Sequence, residues 1–183
     1  MSKVCVFLAD GFEECEGLIS VDILRRAGAE VTMASITGRA AVTGSHGITV
    51  TADALAETLA LDSFDLLLLP GGMPGTTHLG ECALVTDAVQ QFVREGKRVA
   101  AICAAPSILG RLGLLRGKKA TSYPSFEHAL EGAEVTGAEA VTDGLITTGQ
   151  GLGAAIPFAL ELAALLEGQE KADAVRGGIV YKH

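Results

Sequence analysis

Val99-Ala100-Ala101-Ile102-Cys103-Ala104-Ala105-Pro106-Ser107 decides how this chain is read. Arg98 to Ile102 reads as a strand, and its Val99-Ala100-Ala101-Ile102 run is apolar, as a strand buried on both faces requires. A helix follows from about Ala104 to Leu112, so Cys103 stands where strand turns directly into helix. Such an elbow lifts one side chain above the sheet and brings backbone segments close, so its neighbours must be small. Ala101, Ala104 and Ala105 meet that requirement. Amides opening the helix also favour a thiolate at Cys103. The alternative is an inert cysteine buried at a strand end.

Outward from the elbow, strand and helix alternate. Val4 to Ala9, Glu30 to Ile36, Phe64 to Leu69 and Leu145 to Thr148 read as strands. Helices are expected at about 14–27, 83–95 and 154–166, with a last one at 170–175. Residues 41–43 and 48–51 flank Gly44-Ser45-His46-Gly47 as a hairpin, and Asp53 is placed to cap a short helix. Small strands are expected at 119–122, 135–136 and 140–141, and a short helix at 124–130. This alternation predicts an α/β domain spanning residues 1–183, with a mainly parallel sheet covered on both faces. In such folds the reactive groups lie at the carboxyl ends of strands. That rule nominates the loops Asp10 to Glu16, Pro70 to Pro74 and Cys103 to Pro106.

Bulk composition excludes several classes. The 183 residues are 49% hydrophobic and 20% charged, the balance of a globular protein and not of a disordered one. A net charge of −8 disfavours a nucleic-acid partner. Four cysteines without a CxxC pair provide neither a zinc ribbon nor a thioredoxin motif. The N-terminal apolar run is too short for a signal peptide, and no stretch is long enough to span a membrane, so a cytoplasmic protein with reduced thiols is expected.

Two loops face the elbow. Glu13, Glu14 and Glu16 open the first helix, where acids are common as solvated residues, and Glu13 is read that way. An ionised carboxylate facing a thiol raises its pKa, whereas a protonated, partly buried one donates a hydrogen bond and stabilises the thiolate. Pro70-Gly71-Gly72-Met73-Pro74-Gly75 allows close backbone approach and aims amides into a site, although glycines also simply make turns.

Taken together, Gly11-Phe12-Glu13-Glu14-Cys15-Glu16, Val21-Asp22-Ile23-Leu24-Arg25-Arg26-Ala27-Gly28, Leu69-Pro70-Gly71-Gly72, the Cys103 elbow and Thr148-Gly149-Gln150-Gly151 resemble the ThiJ/PfpI superfamily over essentially the whole chain. The match is closest to its parkinsonism-associated deglycase branch and the bacterial relatives of that branch. The resemblance implies a flavodoxin-like three-layer sandwich, a homodimer, and Cys103 as elbow nucleophile. It implies Glu16 as the carboxyl on the sulfur, and backbone amides of Gly72 and Ala104 as an oxyanion pair. It places His46 near a dimer interface and pocket rim, where a substrate contact is one reading and an ordinary surface histidine the other. Tyr123 stands where some relatives have a histidine. The peptidase-like branch has a histidine directly after the nucleophile, and here that residue is Ala104, which argues against a protease or amidase.

The implied activity is detoxification of α-oxoaldehydes such as methylglyoxal and glyoxal, or of their protein and nucleotide adducts, to hydroxy acids. That chemistry requires no metal or organic cofactor. The rival from another class is an oxidative-stress sensor or redox-regulated chaperone that uses oxidation of Cys103.

The remaining motifs have plainer readings. Gly149-Gln150-Gly151-Leu152-Gly153-Ala154 satisfies G-x-G-x-x-G/A, but only a short tail follows it, so it reads as a glycine-rich turn beside the active site and not a dinucleotide loop. His78, His128 and His183 show no ligand spacing and read as structural or solvent residues. Cys5 reads as a buried hydrophobe, Cys15 as a packed thiol and Cys82 as exposed; Asp22 pairs with Arg25 or Arg26.

Overall fold

In this computed structural model, residues 1–182 are described; His183 lies outside them. The chain runs β1 (Lys3–Leu8), α1 (Glu14–Arg26), β2 (Glu30–Ser35), β3 (Ala41–Thr43), β4 (Thr49–Thr51), β5 (Ala54–Leu55), β6 (Leu66–Leu69), α2 (Gly75–Glu81) and α3 (Ala83–Arg94). It continues through β7 (Arg98–Ile102), α4 (Pro106–Arg111), β8 (Lys119–Ala120), β9 (Glu134–Val135), β10 (Ala140–Asp143), β11 (Ile146–Gly149), α5 (Ala155–Glu167) and α6 (Gln169–Gly178). The central sheet has the order β10-β11-β7-β6-β1-β2-β5 and is parallel except for the β10–β11 pair.

The period-2 alternation of strand side chains divides the core into two layers. Val4, Val6 and Leu8 of β1 pack with Leu66, Leu68, Ala100 and Ile102 under α1, α5 and α6. Cys5, Phe7, Leu67, Leu69, Val99 and Ala101 face the opposite way, onto α3 and α4. Both faces are therefore covered, the three-layer arrangement expected of continuous apolar strands. β1 pairs with β2 on one side and β6 on the other, so the chain reverses its winding there and opens a crevice at the strand ends. Among the described residues, no helix is long and apolar enough to cross a membrane.

Several local expectations are corrected. Helix α4 begins at Pro106 and not Ala104, because proline is preorganised for a first helical turn, and Gly113 at φ 74° follows its end. Asp53 caps no helix. Its carboxylate accepts from the Met33 amide and from Arg25, both at 2.8 Å, and β5 follows it. Helix α2 has no local signal in the sequence, since Gly75-Thr76-Thr77 is a poor helix start. Tertiary contact overrides propensity there: the Gly75 amide donates to the Gly11 carbonyl at 3.1 Å, and a Cβ on Gly75 would lie 2.5 Å from the Phe12 nitrogen.

Candidate active site

The carboxyl ends of β1, β6 and β7 converge where the chain reverses. Cys103 follows β7 with φ 64°, a left-handed conformation that costs a non-glycine residue roughly 1–2 kcal/mol. Its amide donates to the Gly149 carbonyl, and its carbonyl accepts from the Tyr123 amide, both at 2.9 Å. Two flanking segments thus hold the strained turn in place.

Glu16, in the first turn of α1, is 1% exposed and reaches the sulfur by a side-chain hydrogen bond. Gly71 closes the pair from the β6 side. Its amide donates to Glu16 Oε2 at 3.0 Å. A Cβ on Gly71 would sit 2.6 Å from both Cys103 Cβ and Glu16 Oε2. Sequence reasoning gave the neighbouring Gly72 a role and missed Gly71, whose quoted Gly-Gly dipeptide was the available signal. Gly72, at φ 90°, and Ala104 direct their amides at the sulfur itself.

The carboxyl and thiol titrate together. Burial lifts Glu16 from an ordinary value of 4.5 to about 7, aided by the negative Glu13 and opposed by the Cys103 and Gly71 hydrogen bonds. Burial, followed by the charge and hydrogen bond of Glu16, pushes the Cys103 thiol up to about 12, against the pull of the Ala104 and Gly72 amides. The pair therefore releases one proton near neutrality and holds the other well into alkaline pH. The helix start does not by itself make an acidic thiol. The thiolate exists when Glu16 carries the shared proton, a state that the two sulfur-directed amides favour.

The three acids of the loop have separate fates. Glu13 is not solvated: it is 8% exposed and caps α1, its Oε2 accepting from the Glu16 amide at 2.6 Å. Glu14 is 1% exposed and enters the hairpin loop, accepting from the His46 and Ile48 amides at 2.7 and 3.3 Å and bonding His46 Nδ1 at 2.9 Å. Burial alone would raise Glu14, but these bonds prevail and hold it at about 2. Bonding to Glu14 raises the pKa of the His46 ring in turn. Ligand atoms of Glu13, Glu14 and His46 lie within 4.8 Å of one another, yet both carboxylates already accept protein donors.

Tyr123 is 50% exposed and lines a cavity with Pro124, Glu139 and residues 150–154. The glycine-rich turn has a packing explanation: a Cβ on Gly149 would lie 2.8 Å from the Phe158 ring. His78 is exposed, its Nδ1 2.9 Å from the Asp10 carbonyl, and His128 is exposed. Cys5 is buried and pushed up to about 12 by that burial; Cys82 is half-buried. Cys15 is exposed and not packed, because it points away from the core between the buried Glu14 and Glu16. Asp22 is exposed and pairs with Arg26 at 2.6 Å.

The model of the DJ-1/PfpI family matches residues 2–165. Protein dj-1beta of Drosophila melanogaster is 41% identical over 183 residues, covering 98% of each chain. A deglycase from Pyrococcus abyssi is 39% identical over 145 residues, covering 78% of this chain and 86% of its own. The solved structure of oxidized DJ-1 from Toxoplasma gondii superposes with a TM-score of 0.96 at 35% identity, covering 100% of both chains.

Two outcomes follow from this geometry. Between pH 4.5 and about 7 the native state holds the Glu16 proton that the unfolded chain has lost, so stability falls as pH rises through that window. Glu16→Gln removes this cost of about 3 kcal/mol, so its melting temperature at pH 8 should exceed that of wild type, and the gain should vanish near pH 4.5. Gly71→Ala, read by the same melt and by thiol alkylation, should lower stability by about 1–3 kcal/mol and alter Cys103 reactivity, since its Cβ meets backbone-anchored neighbours.

Proposed function

Because the chain belongs to the DJ-1/PfpI family, we propose that it is a cysteine-dependent enzyme acting on α-oxoaldehydes such as methylglyoxal and glyoxal, or on their protein and nucleotide adducts. The observation that carries this reading is the buried Glu16 carboxyl hydrogen-bonded to Cys103 at a left-handed elbow, with the Gly72 and Ala104 amides directed at the sulfur. The Cys103 thiolate adds to the aldehyde carbon, forming a C–S bond and an oxyanion that takes up a proton as the hemithioacetal hydroxyl. The oxyanion lies one bond from the sulfur, within reach of the Gly72 and Ala104 amides. Glu16, ionised after giving up its proton, removes the hydrogen on that carbon and returns it to the adjacent former ketone carbon, while the hemithioacetal hydroxyl proton passes to the former ketone oxygen. The first carbon is oxidised and the second reduced, so no external oxidant enters. Water then cleaves the resulting thioester, releasing a 2-hydroxy acid and the thiolate.

The Pyrococcus abyssi relative named as a deglycase supports this class of reaction. A peptidase-like mechanism lacks support, since Ala104 follows the nucleophile and the His46 ring is engaged by Glu14. A redox sensor draws on the same thiolate, and a solved relative is described as oxidized. We also propose a homodimer, formed through the apolar groove of Leu18, Ile19, Ile23, Ile156 and Ile179, in which Asp22 is the one charged residue. The implied compartment remains the cytoplasm.

With methylglyoxal in excess, wild type should turn over many equivalents, and kcat/KM should rise with pH through about 7 as the pair loses its first proton. Cys103→Ser and Glu16→Gln should each lose about 100-fold or more. A Cys103→Ser protein that works at the wild-type rate sinks the mechanism, and stoichiometric oxidation by peroxide without aldehyde turnover favours the sensor. Ile19→Glu should shift the protein from dimer to monomer in sedimentation, because it buries a charge in an apolar contact.

A further inference from the structure

Resting on the Cys103 nucleophile inferred above, we propose that Glu13 is a positioning residue that acts on Cys103 through Glu16. It clamps the Glu16 carboxyl, and its charge drives the shared proton onto Glu16, so that the sulfur carries the negative charge. The clamp is a closed ring of three hydrogen bonds. The Glu13 amide donates to the Gly71 carbonyl at 2.8 Å, the Gly71 amide to Glu16 Oε2 at 3.0 Å, and the Glu16 amide to Glu13 Oε2 at 2.6 Å. This ring ties the end of β6 to the start of α1, and a Cβ on Gly72 would collide with the Glu13 nitrogen. Glu16 is thereby held at both ends, by its backbone amide and by its carboxyl.

A buried anion beside Glu16 acts unequally on the two places where the proton can sit. Glu13 is 8% exposed, so water screens it weakly. With the proton on sulfur, Glu13 and Glu16 are neighbouring anions; with the proton on Glu16, the second anion lies beyond it, on Cys103. The charge of Glu13 raises Glu16, whereas Cys103 is raised by burial and then by Glu16. The proton moves along the existing hydrogen bond from sulfur to a carboxylate oxygen, and no electron changes hands. Other charges near the pair are engaged elsewhere. Glu14 binds His46, whose Nδ1 is 2.9 Å from Glu14 Oε2 and 3.8 Å from Glu13 Oε1. Asp10 accepts from Arg39 and the Thr43 amide, Cys15 is exposed, and Tyr123 meets the elbow by its amide. Residues 69–75 and 149–158 carry no titratable side chain.

Two pH profiles test this role. Iodoacetamide alkylation of Cys103, resolved from the other cysteines by peptide mass, reads the thiolate without turnover, and kcat/KM for methylglyoxal reads it in the reaction. Glu13→Gln keeps an oxygen to cap Glu16 but drops the charge. At low salt its plateau above about pH 8 should fall about three- to tenfold in both profiles, and its midpoint should move to correspondingly lower pH. Below about pH 6 its rates should coincide with those of wild type, because removing the charge favours ionised Glu16 and leaves the thiolate's own equilibrium alone. Glu13→Asp keeps cap and charge and should restore the plateau. Glu13→Ala should lose it and melt at lower temperature as well. A Glu13→Gln profile equal to that of wild type overturns the role. So does an equal loss at every pH in all three variants, the outcome of a helix cap alone. If wild type does not turn methylglyoxal over, or Cys103→Ser matches it, the reaction falls while alkylation still decides the role of Glu13.

Discussion

The hydrogen bond between the Glu16 carboxyl and the Cys103 sulfur is the constraint on which the site depends. It places two acidic groups together in a buried space, where only one can be ionised at neutral pH. Much of the surrounding structure serves that contact. The left-handed backbone at Cys103 turns the sulfur toward α1, and Gly71 leaves no side chain between the partners. The crevice beside β1 supplies the room because chain winding reverses there.

Glu13, Glu14 and Glu16 show how environment assigns chemistry to identical side chains. Glu13 is spent on a helix cap and Glu14 on hairpin amides and an imidazole. Glu16 is left with one backbone donor and a thiol, and burial dominates. A carboxylate rich in donors is held as an anion at about 2, whereas its neighbour two residues on is lifted to about 7. One loop thereby anchors the hairpin and sets a carboxyl against the Cys103 thiol.

The elbow, the alternating architecture and the nomination of Cys103 were legible in local pattern, because small residues around a strand-to-helix junction and continuous apolar runs are local signals; among the three acids of the first loop, Glu16 was singled out by the family resemblance alone. Helix α2 was not legible, since Gly75 is helical for the sake of its contact with Gly11 and Phe12. Nor was the burial of Glu13, which depends on packing against the Gly71 loop: the Glu13 amide donates to the Gly71 carbonyl at 2.8 Å.

The four cysteines divide along the same line. Residue order alone separated Cys103 from the rest, because only Cys103 stands between a buried strand and a helix. It also determined a sheet with two covered faces, because apolar runs without alternation cannot face water. Tertiary structure decided which acid meets the thiol and which glycine admits it. It also decided that the buried Glu16 carboxyl, more than the helix start, shifts the titration of the Cys103 thiol. Those outcomes rest on distances between β1, β6 and β7, segments remote in the chain, and on a dielectric that exists only once the core has closed over them.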